Sequence, residues 1–215
     1  MKVISFSLWG SDPKYCVGAI RNLFASKYIY PDWKCRFYVA NSVPRNIVSA
    51  IFDNGGEVVE KDSAGDWSSM FWRFEAGADQ NCDAVIFRDT DSRLNIREAL
   101  AVKEWINSGK SFHIMRDHPF HGYKILGGMW GIRPRSVPKF SQILSSFVPK
   151  NEYGTDYKFF GEVLFDKIGN DKLTHDEFFE KKPFPVARCG LEFVGQVFNE
   201  NEECPQEHLD AIRAK

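Results

Sequence analysis

The chain has 215 residues, and 28 Lys and Arg against 29 Asp and Glu leave a formal charge of −1. With 43% hydrophobic residues it can fill a core, which excludes general disorder. The balanced charge removes the basic footprint of a protein whose main ligand is nucleic acid or a membrane surface. No apolar run approaches the roughly 20 residues of a bilayer span, and Met1-Lys2-Val3 does not open a signal peptide, so a soluble, cytoplasmic protein is expected.

In chain order, Val3 to Leu8 reads as a buried strand and Trp9-Gly10-Ser11-Asp12-Pro13 as the loop after it. Val17, Ile20, Leu23 and Phe24 fall at helical spacing, and a second strand follows around Arg36 to Ala40. Pro44 starts a helix with Ile47, Val48, Ile51 and Phe52 on its face, closed by Asn54-Gly55-Gly56. Glu57 to Glu60 is a third strand, and Met70, Phe71 and Phe74 mark another helical stretch. Asp83 to Phe87 is the most strand-like run in the chain. A helix carrying Ala99, Val102, Trp105 and Ile106 comes next, then a strand from Ser111 to Met115. Arg116 to Gly131, dense in His, Pro and Gly, predicts a functional loop and a short strand. Two amphipathic helices follow, one with Phe140, Ile143, Leu144 and Phe147, the other with Phe160, Val163, Leu164 and Ile168. From Asn199 the chain is polar and acidic, as in a surface tail or linker. Alternating strands and helices imply βαβ units and a mainly parallel sheet flanked by helices, an α/β fold.

Five cysteines (Cys16, Cys35, Cys82, Cys189, Cys204) with no Cys-x-x-Cys pair read as free thiols. Aromatic residues are abundant at 15%; most must be core, but exposed Trp or Tyr would suit stacking on bases or sugar rings.

Chemistry concentrates at Asp89-Thr90-Asp91, at the carboxyl end of the most hydrophobic strand, which is where open α/β sheets place ligands. Two carboxylates on alternate residues can share one hard cation, which can in turn bridge a diphosphate. Alone, an Asp-x-Asp is common on solvated turns. The strand before it, the fold rhythm and the flanking Arg88 and Arg93 favour the functional reading.

Trp72-Arg73-Phe74, Arg88-Asp89-Thr90-Asp91-Ser92-Arg93, Arg116-Asp117-His118-Pro119, Gly127-Gly128-Met129-Trp130-Gly131, Gly154-Thr155-Asp156 and Thr174-His175-Asp176 occur in an order that resembles the GT-A glycosyltransferases. These enzymes use nucleotide-sugar donors and a divalent metal held by an Asp-x-Asp motif. The resemblance implies one Rossmann-like GT-A domain over residues 1–198, with a nucleotide-binding half at 1–94 and an acceptor-side half at 95–198; residues 199–215 form the tail. It implies transfer of a hexose from a nucleoside-diphosphate sugar, with uridine the family expectation, to a glycan or glycoprotein acceptor. A narrower resemblance, to the amino-terminal glycosyltransferase domain of large algal-virus proteins that build capsid glycans, implies a viral enzyme working in the host cytoplasm.

By the same resemblance Asp91 binds the metal, Mn2+ or Mg2+, and Asp89 shares it or holds the donor ribose. His175 completes the metal shell, with His118 and His121 competing for that place. Leu8 and Trp9 line the nucleobase pocket with Thr90 beside them, and Arg73 contacts the diphosphate or Asp89. Gly127 and Gly128 admit the transferred sugar. Trp130 and His118 face the acceptor, and Asp117 and Asp156 are the candidate catalytic carboxylates. Two other classes stay open: a haloacid-dehalogenase-like phosphatase, which also uses Asp-x-Asp but on the first strand of its domain, and a non-catalytic nucleotide- or sugar-binding module.

Overall fold

Residues 1–214 are described by a computed structural model of the chain. Seven strands form one sheet: β1 (Lys2–Leu8), β2 (Trp33–Ala40), β3 (Glu57–Lys61), β4 (Ala84–Phe87), β5 (Phe112–Arg116), β6 (Trp130–Ile132) and β7 (Lys172–Asp176). Their spatial order is β3-β2-β1-β4-β6-β5-β7. All neighbouring pairs are parallel except those made by β6, which runs antiparallel to β4 and β5. The α/β class and the mainly parallel sheet expected from the strand-helix alternation are therefore present.

The chain leaves β1 outward through β2 and β3, then returns to the other side of β1 as β4. The carboxyl ends of β1 and β4 thus flank a switch point, where the connections depart in opposite directions and leave a crevice.

Each face of the sheet has its own core. One buries Ile4, Phe6, Leu8, Phe37 and Ile86 against α1 (Pro13–Ile29), α2 (Arg45–Asp53) and α3 (Ile96–Ser108). The other packs Val3, Val85, Phe87 and Trp130 against Phe74 of a 3-10 helix (Trp67–Ala78), Phe140 of α4 (Phe140–Ser145) and Phe159 of α5 (Thr155–Phe159). After α5 a π-helical turn (Phe160–Leu164) leads into α6 (Phe165–Ile168), so the second amphipathic pattern is one continuous helical run with a widened turn. Helix starts follow local chemistry. Asp12 caps α1 by accepting from the Lys14 amide at 2.9 Å, with Pro13 at the first turn, and Asn95 caps α3 by accepting from the Glu98 amide at 2.9 Å.

Two helix faces differ from expectation. On α1 the buried stripe is Cys16, Ala19, Leu23 and Ser26 rather than the Val17-centred one, and Phe24 is 43% exposed; on α2 Phe52 is 70% exposed. The small residues of α1 let it lie close to the β4 turn, which sets the rotation. The stretch from Asn199, expected as a tail, carries α7 (Gln206–Arg213), which buries Ile212 and docks through the His208 carbonyl on His118. None of the five cysteines is disulfide-bonded. No helix among the described residues is long and apolar enough to cross a membrane.

Candidate functional site

At the switch point lies a cleft of about 690 Å3, lined among others by Leu8, Trp9, Tyr15, Arg73, Asp89, Thr90, Asp91, Gly127 and Asp156. Three carboxylates line it from two places in the chain: Asp89 and Asp91 from the turn after β4, and Asp156 from the first turn of α5.

Arg73 is aimed by β1. Ser5 Oγ donates to the Arg73 carbonyl at 2.7 Å, and the Arg73 amide donates to Ser7 Oγ at 3.0 Å. Two strand serines therefore pin the 3-10 helix so that the buried guanidinium contacts Asp89, and its Nη2 lies 3.9 Å from Asp156. On the opposite side Lys14, the second residue of α1, places Nζ 2.7 Å from Asp91 Oδ2. Each aspartate of the motif thus faces its own cation.

These charges shape the titration of the site. Burial pushes Asp156 up to about 6; Arg73 opposes the rise and Asp89 adds to it. Burial and then the Asp89 charge raise Asp91, while Lys14 pulls it down. Burial works against the Lys14 ammonium, but the hydrogen bond and charge of Asp91 outweigh it and hold its pKa above the ordinary lysine value.

Gly127 and Gly128 are fixed by close approach. A Cβ on Gly127 would collide with the Asp156 carboxylate and with Arg73, and one on Gly128 would collide with the Asp89 carboxylate. The two glycines make room for the carboxylates themselves, not only for a ligand.

Four expected residues lie elsewhere. His175, on β7, has two strands between it and β4; its Nδ1 is 2.8 Å from His113 Nε2, and its Nε2 is 3.4 Å from Glu104. It cannot join Asp91 on one ion. Asp117 is fully buried and fully spent: Arg97 and Arg188 bind its oxygens at 2.7 to 3.1 Å, and the Val194 amide donates at 2.9 Å. It is a structural clamp, not a cleft carboxylate. Trp130 is buried in the aromatic core against Phe74, Phe87, Phe140 and Phe160, so it offers no acceptor platform. His118 is also fully buried: its Nε2 donates to the His208 carbonyl at 3.0 Å and its Nδ1 accepts from the Phe120 amide at 3.0 Å. The wall facing the cleft in that region is His121, Phe120 and His208. His121, half-buried, accepts from the Asp117 amide at 3.1 Å, and loss of solvent together with the neighbouring His118 and His208 pushes it down to about 3, so it stays neutral.

The arginines flanking the motif are structural too. Arg88 pairs with Glu98 at 3.1 Å beneath the sheet, and Arg93 pairs with Glu202 at 2.8 Å. Besides Lys14, the sequence reading missed the aromatic rim. Trp67 stands edge-on to Trp9 (6.2 Å between ring centroids) and to Tyr153 (5.3 Å), and Tyr157 stacks on Tyr123 at 3.9 Å. Lys14 was hidden because it follows a loop and lies 77 positions from Asp91.

Would the cleft suit a divalent cation? Among the described residues no three His, Cys, Asp or Glu side chains converge to hold one by themselves. Two carboxylates are available, and ions that keep waters and take substrate phosphates need no more from the protein. The ionised groups argue the same way. Asp12, Asp89, Asp91 and Asp156 stand against Arg73 and Lys14, an excess of two negative charges, which a divalent ion offsets. The residues fit a hard cation held by oxygen. With His175 absent, the imidazole that would favour Mn2+ over Mg2+ is gone.

A mainly parallel sheet interrupted by one antiparallel strand, with a carboxylate cleft at its switch point, is a GT-A-like α/β arrangement. No protein-family model matches the sequence, and comparison with curated proteins finds no relative. Solved structures share the fold. S. aureus TarS (residues 1-349) in complex with UDP-GlcNAc superposes with a TM-score of 0.58 at 12% identity, over 82% of this chain and 56% of that one. A cytidylyltransferase from Leptospira borgpetersenii gives 0.55 at 10% identity, over 99% of this chain and 93% of that one. The galactosyltransferase LgtC in complex with donor and acceptor sugar analogues gives 0.52 at 15% identity, over 83% and 74%. The chain spans about half the length of the TarS segment. At these identities the likeness is one of fold.

Proposed function

We propose that the cleft binds a nucleoside-diphosphate sugar, a UDP-sugar before others, and transfers the sugar to a hydroxyl of a glycan or glycoprotein. One observation carries the reading: Asp89, Asp91 and Asp156 meet Arg73 and Lys14 at the carboxyl ends of β1 and β4, a charged centre between an aromatic wall and the wall that carries His121. TarS and LgtC, which share the fold, have been solved with UDP-GlcNAc and with sugar analogues, and this supports the donor class.

Transfer breaks the bond from the anomeric carbon to the diphosphate, whose oxygen keeps the electron pair. A new bond forms to the acceptor oxygen, and the acceptor proton must leave. Asp89 and Asp91 are the residues that would hold a divalent ion, which would supply positive charge where the leaving diphosphate becomes more negative. Arg73 reinforces that charge, and its place is fixed beforehand by Ser5 and Ser7. Asp156, raised to about 6, is ionised at neutral pH yet basic enough to take the acceptor proton. Leu8, Trp9 and Tyr15 wall the base, and the exposed faces of Trp67 and Tyr153 receive the acceptor sugar.

Titration calorimetry of UDP, GDP and CTP, each with Mn2+, with Mg2+ and with chelator, tests this. Cation-dependent binding of UDP supports the reading. No binding of any nucleotide by the folded protein refutes it. A second reading, nucleotidyl transfer, is favoured by the cytidylyltransferase match, which covers nearly all of both chains; preference for CTP would establish it. The phosphatase alternative is weakened twice, since the Asp-x-Asp strand is fourth in the chain and Asp89 is tied to Arg73.

A further inference from the structure

The Lys14 ammonium rests on the same Asp91 carboxylate that a divalent ion would use, at 2.7 Å from Oδ2. Its position is built rather than incidental. Asp12 caps α1 through the Lys14 amide, Pro13 precedes it, and Gly18 lets the helix press on the Thr90 carbonyl. Asp91 lines the cleft, as do Asp12 and Tyr15 on either side of Lys14, and the Lys14 side chain is 29% exposed and that of Asp91 14%, so the pair sits at the edge of the cleft and is not sealed from solvent. Among the described residues Asp91 has no other side-chain cation: Arg73 serves Asp89, and Arg93 is taken by Glu202.

We propose that Lys14 is a tethered competitor of the divalent ion for Asp91, and that it thereby couples cation binding to diphosphate binding. This rests on the nucleotide-sugar reading of the cleft. Without nucleotide, the ammonium fills Asp91 and its charge repels a second cation, so the ion binds weakly. When a diphosphate arrives it offers Lys14 another anionic partner one side-chain swing away and offers the ion additional oxygen ligands. Both cations then have a place, and the ion and the nucleotide tighten each other by the same factor. Lys14 therefore keeps the empty site from holding the metal on its own.

The test measures binding of Mn2+ alone, by the electron paramagnetic resonance signal of the free ion, and then with UDP. It uses the wild-type chain, Lys14→Met and Lys14→Arg. Melting curves confirm the fold of these variants of a partly exposed side chain. Lys14→Met is expected to bind Mn2+ alone about 10-fold more tightly than wild type, because the competing charge is gone. Lys14→Arg, which keeps the charge, stays within about 3-fold of wild type. UDP tightens Mn2+ strongly in wild type and by about 10-fold less in Lys14→Met. Equal Mn2+ affinity in wild type and Lys14→Met, or equal tightening by UDP in both, overturns the proposal while leaving the donor site standing. If UDP binds none of the three proteins under any cation condition, the nucleotide-sugar reading fails and the coupling fails with it.

Discussion

Asp156 provides the sharpest test of the charged cleft. Burial lifts its pKa from an ordinary 3.8 to about 6, against the opposing pull of Arg73. At about 1.4 kcal/mol per pH unit, that rise amounts to roughly 3 kcal/mol. Below about pH 4 the carboxyl is protonated in both the folded and the unfolded chain and contributes nothing. Between there and about pH 6 the unfolded chain releases its proton first, so stability falls as pH rises, and above about pH 6 the whole penalty is present. Asp156→Asn is neutral throughout and lacks this falling branch. The variant is therefore expected to match wild type near pH 4 and to exceed it at pH 7.5 by up to roughly 3 kcal/mol, or about 6–12 °C in melting temperature for a chain of this length. Melting curves at half-unit steps of pH measure the difference, and glycosyl transfer by the same protein is expected to be lost. An advantage that does not change with pH, or a variant less stable than wild type at pH 7.5, would refute the reasoning, because the Arg73 pairing would then outweigh the desolvation.

Other consequences follow from single contacts. Gly128→Ala forces the Asp89 carboxylate aside, and UDP affinity by calorimetry is expected to fall about 10-fold or more while the circular dichroism spectrum is retained. Glu98→Ala strands the buried Arg88 guanidinium and removes the acceptor of the Tyr30 hydroxyl; urea unfolding is expected to show a loss of about 3–5 kcal/mol with an unchanged slope. Trp67→Ala opens the aromatic rim, and the acceptor KM is expected to rise up to about 10-fold with UDP affinity unchanged, provided the rim serves the acceptor and not the base.

Much of the fold was legible because its signals are local. Strands β1, β2, β4 and β5 contain short apolar runs, and breakers such as Pro44 or Asn107-Ser108-Gly109 mark several helices, whereas β7, Lys172–Asp176, is mostly polar and was not expected as a strand. Asp89 and Asp91 were legible from their strand end, and Arg73, Gly127 and Asp156 through the resemblance to the GT-A glycosyltransferases; the structure brings all five to one cleft. What was not legible depends on which way a side chain turns. His118 and Trp130 sit in loop and strand contexts that look functional, yet their neighbours bury them completely. Asp117 reads like any other carboxylate until Arg97 and Arg188, 20 and 71 residues away, close on it. His175 failed on topology: only the strand order reveals that β6 and β5 stand between it and the motif. His208 was passed over because α7 is polar on most of its surface and shows its docking face only through Ile212.

The roles of the two motif aspartates separate for a reason that the tripeptide does not display. On an extended strand Asp89 and Asp91 would point the same way and compete for one partner. Here the chain turns immediately after β4: the Ser92 amide and hydroxyl both donate to the Asp89 carbonyl, at 3.3 and 2.9 Å. The turn gives the two neighbouring carboxylates different partners. Arg73 reaches Asp89 from the sheet face covered by the 3-10 helix, and Lys14 reaches Asp91 from the face covered by α1. The motif therefore straddles the plane of the sheet, held by one cation from each layer. An anionic donor entering between them would meet positive charge on both sides, while the excess carboxylates leave room for one more cation at the centre. A switch point gives this arrangement without distortion, because it is the one place in a parallel sheet where helices from opposite faces begin beside the same strand end.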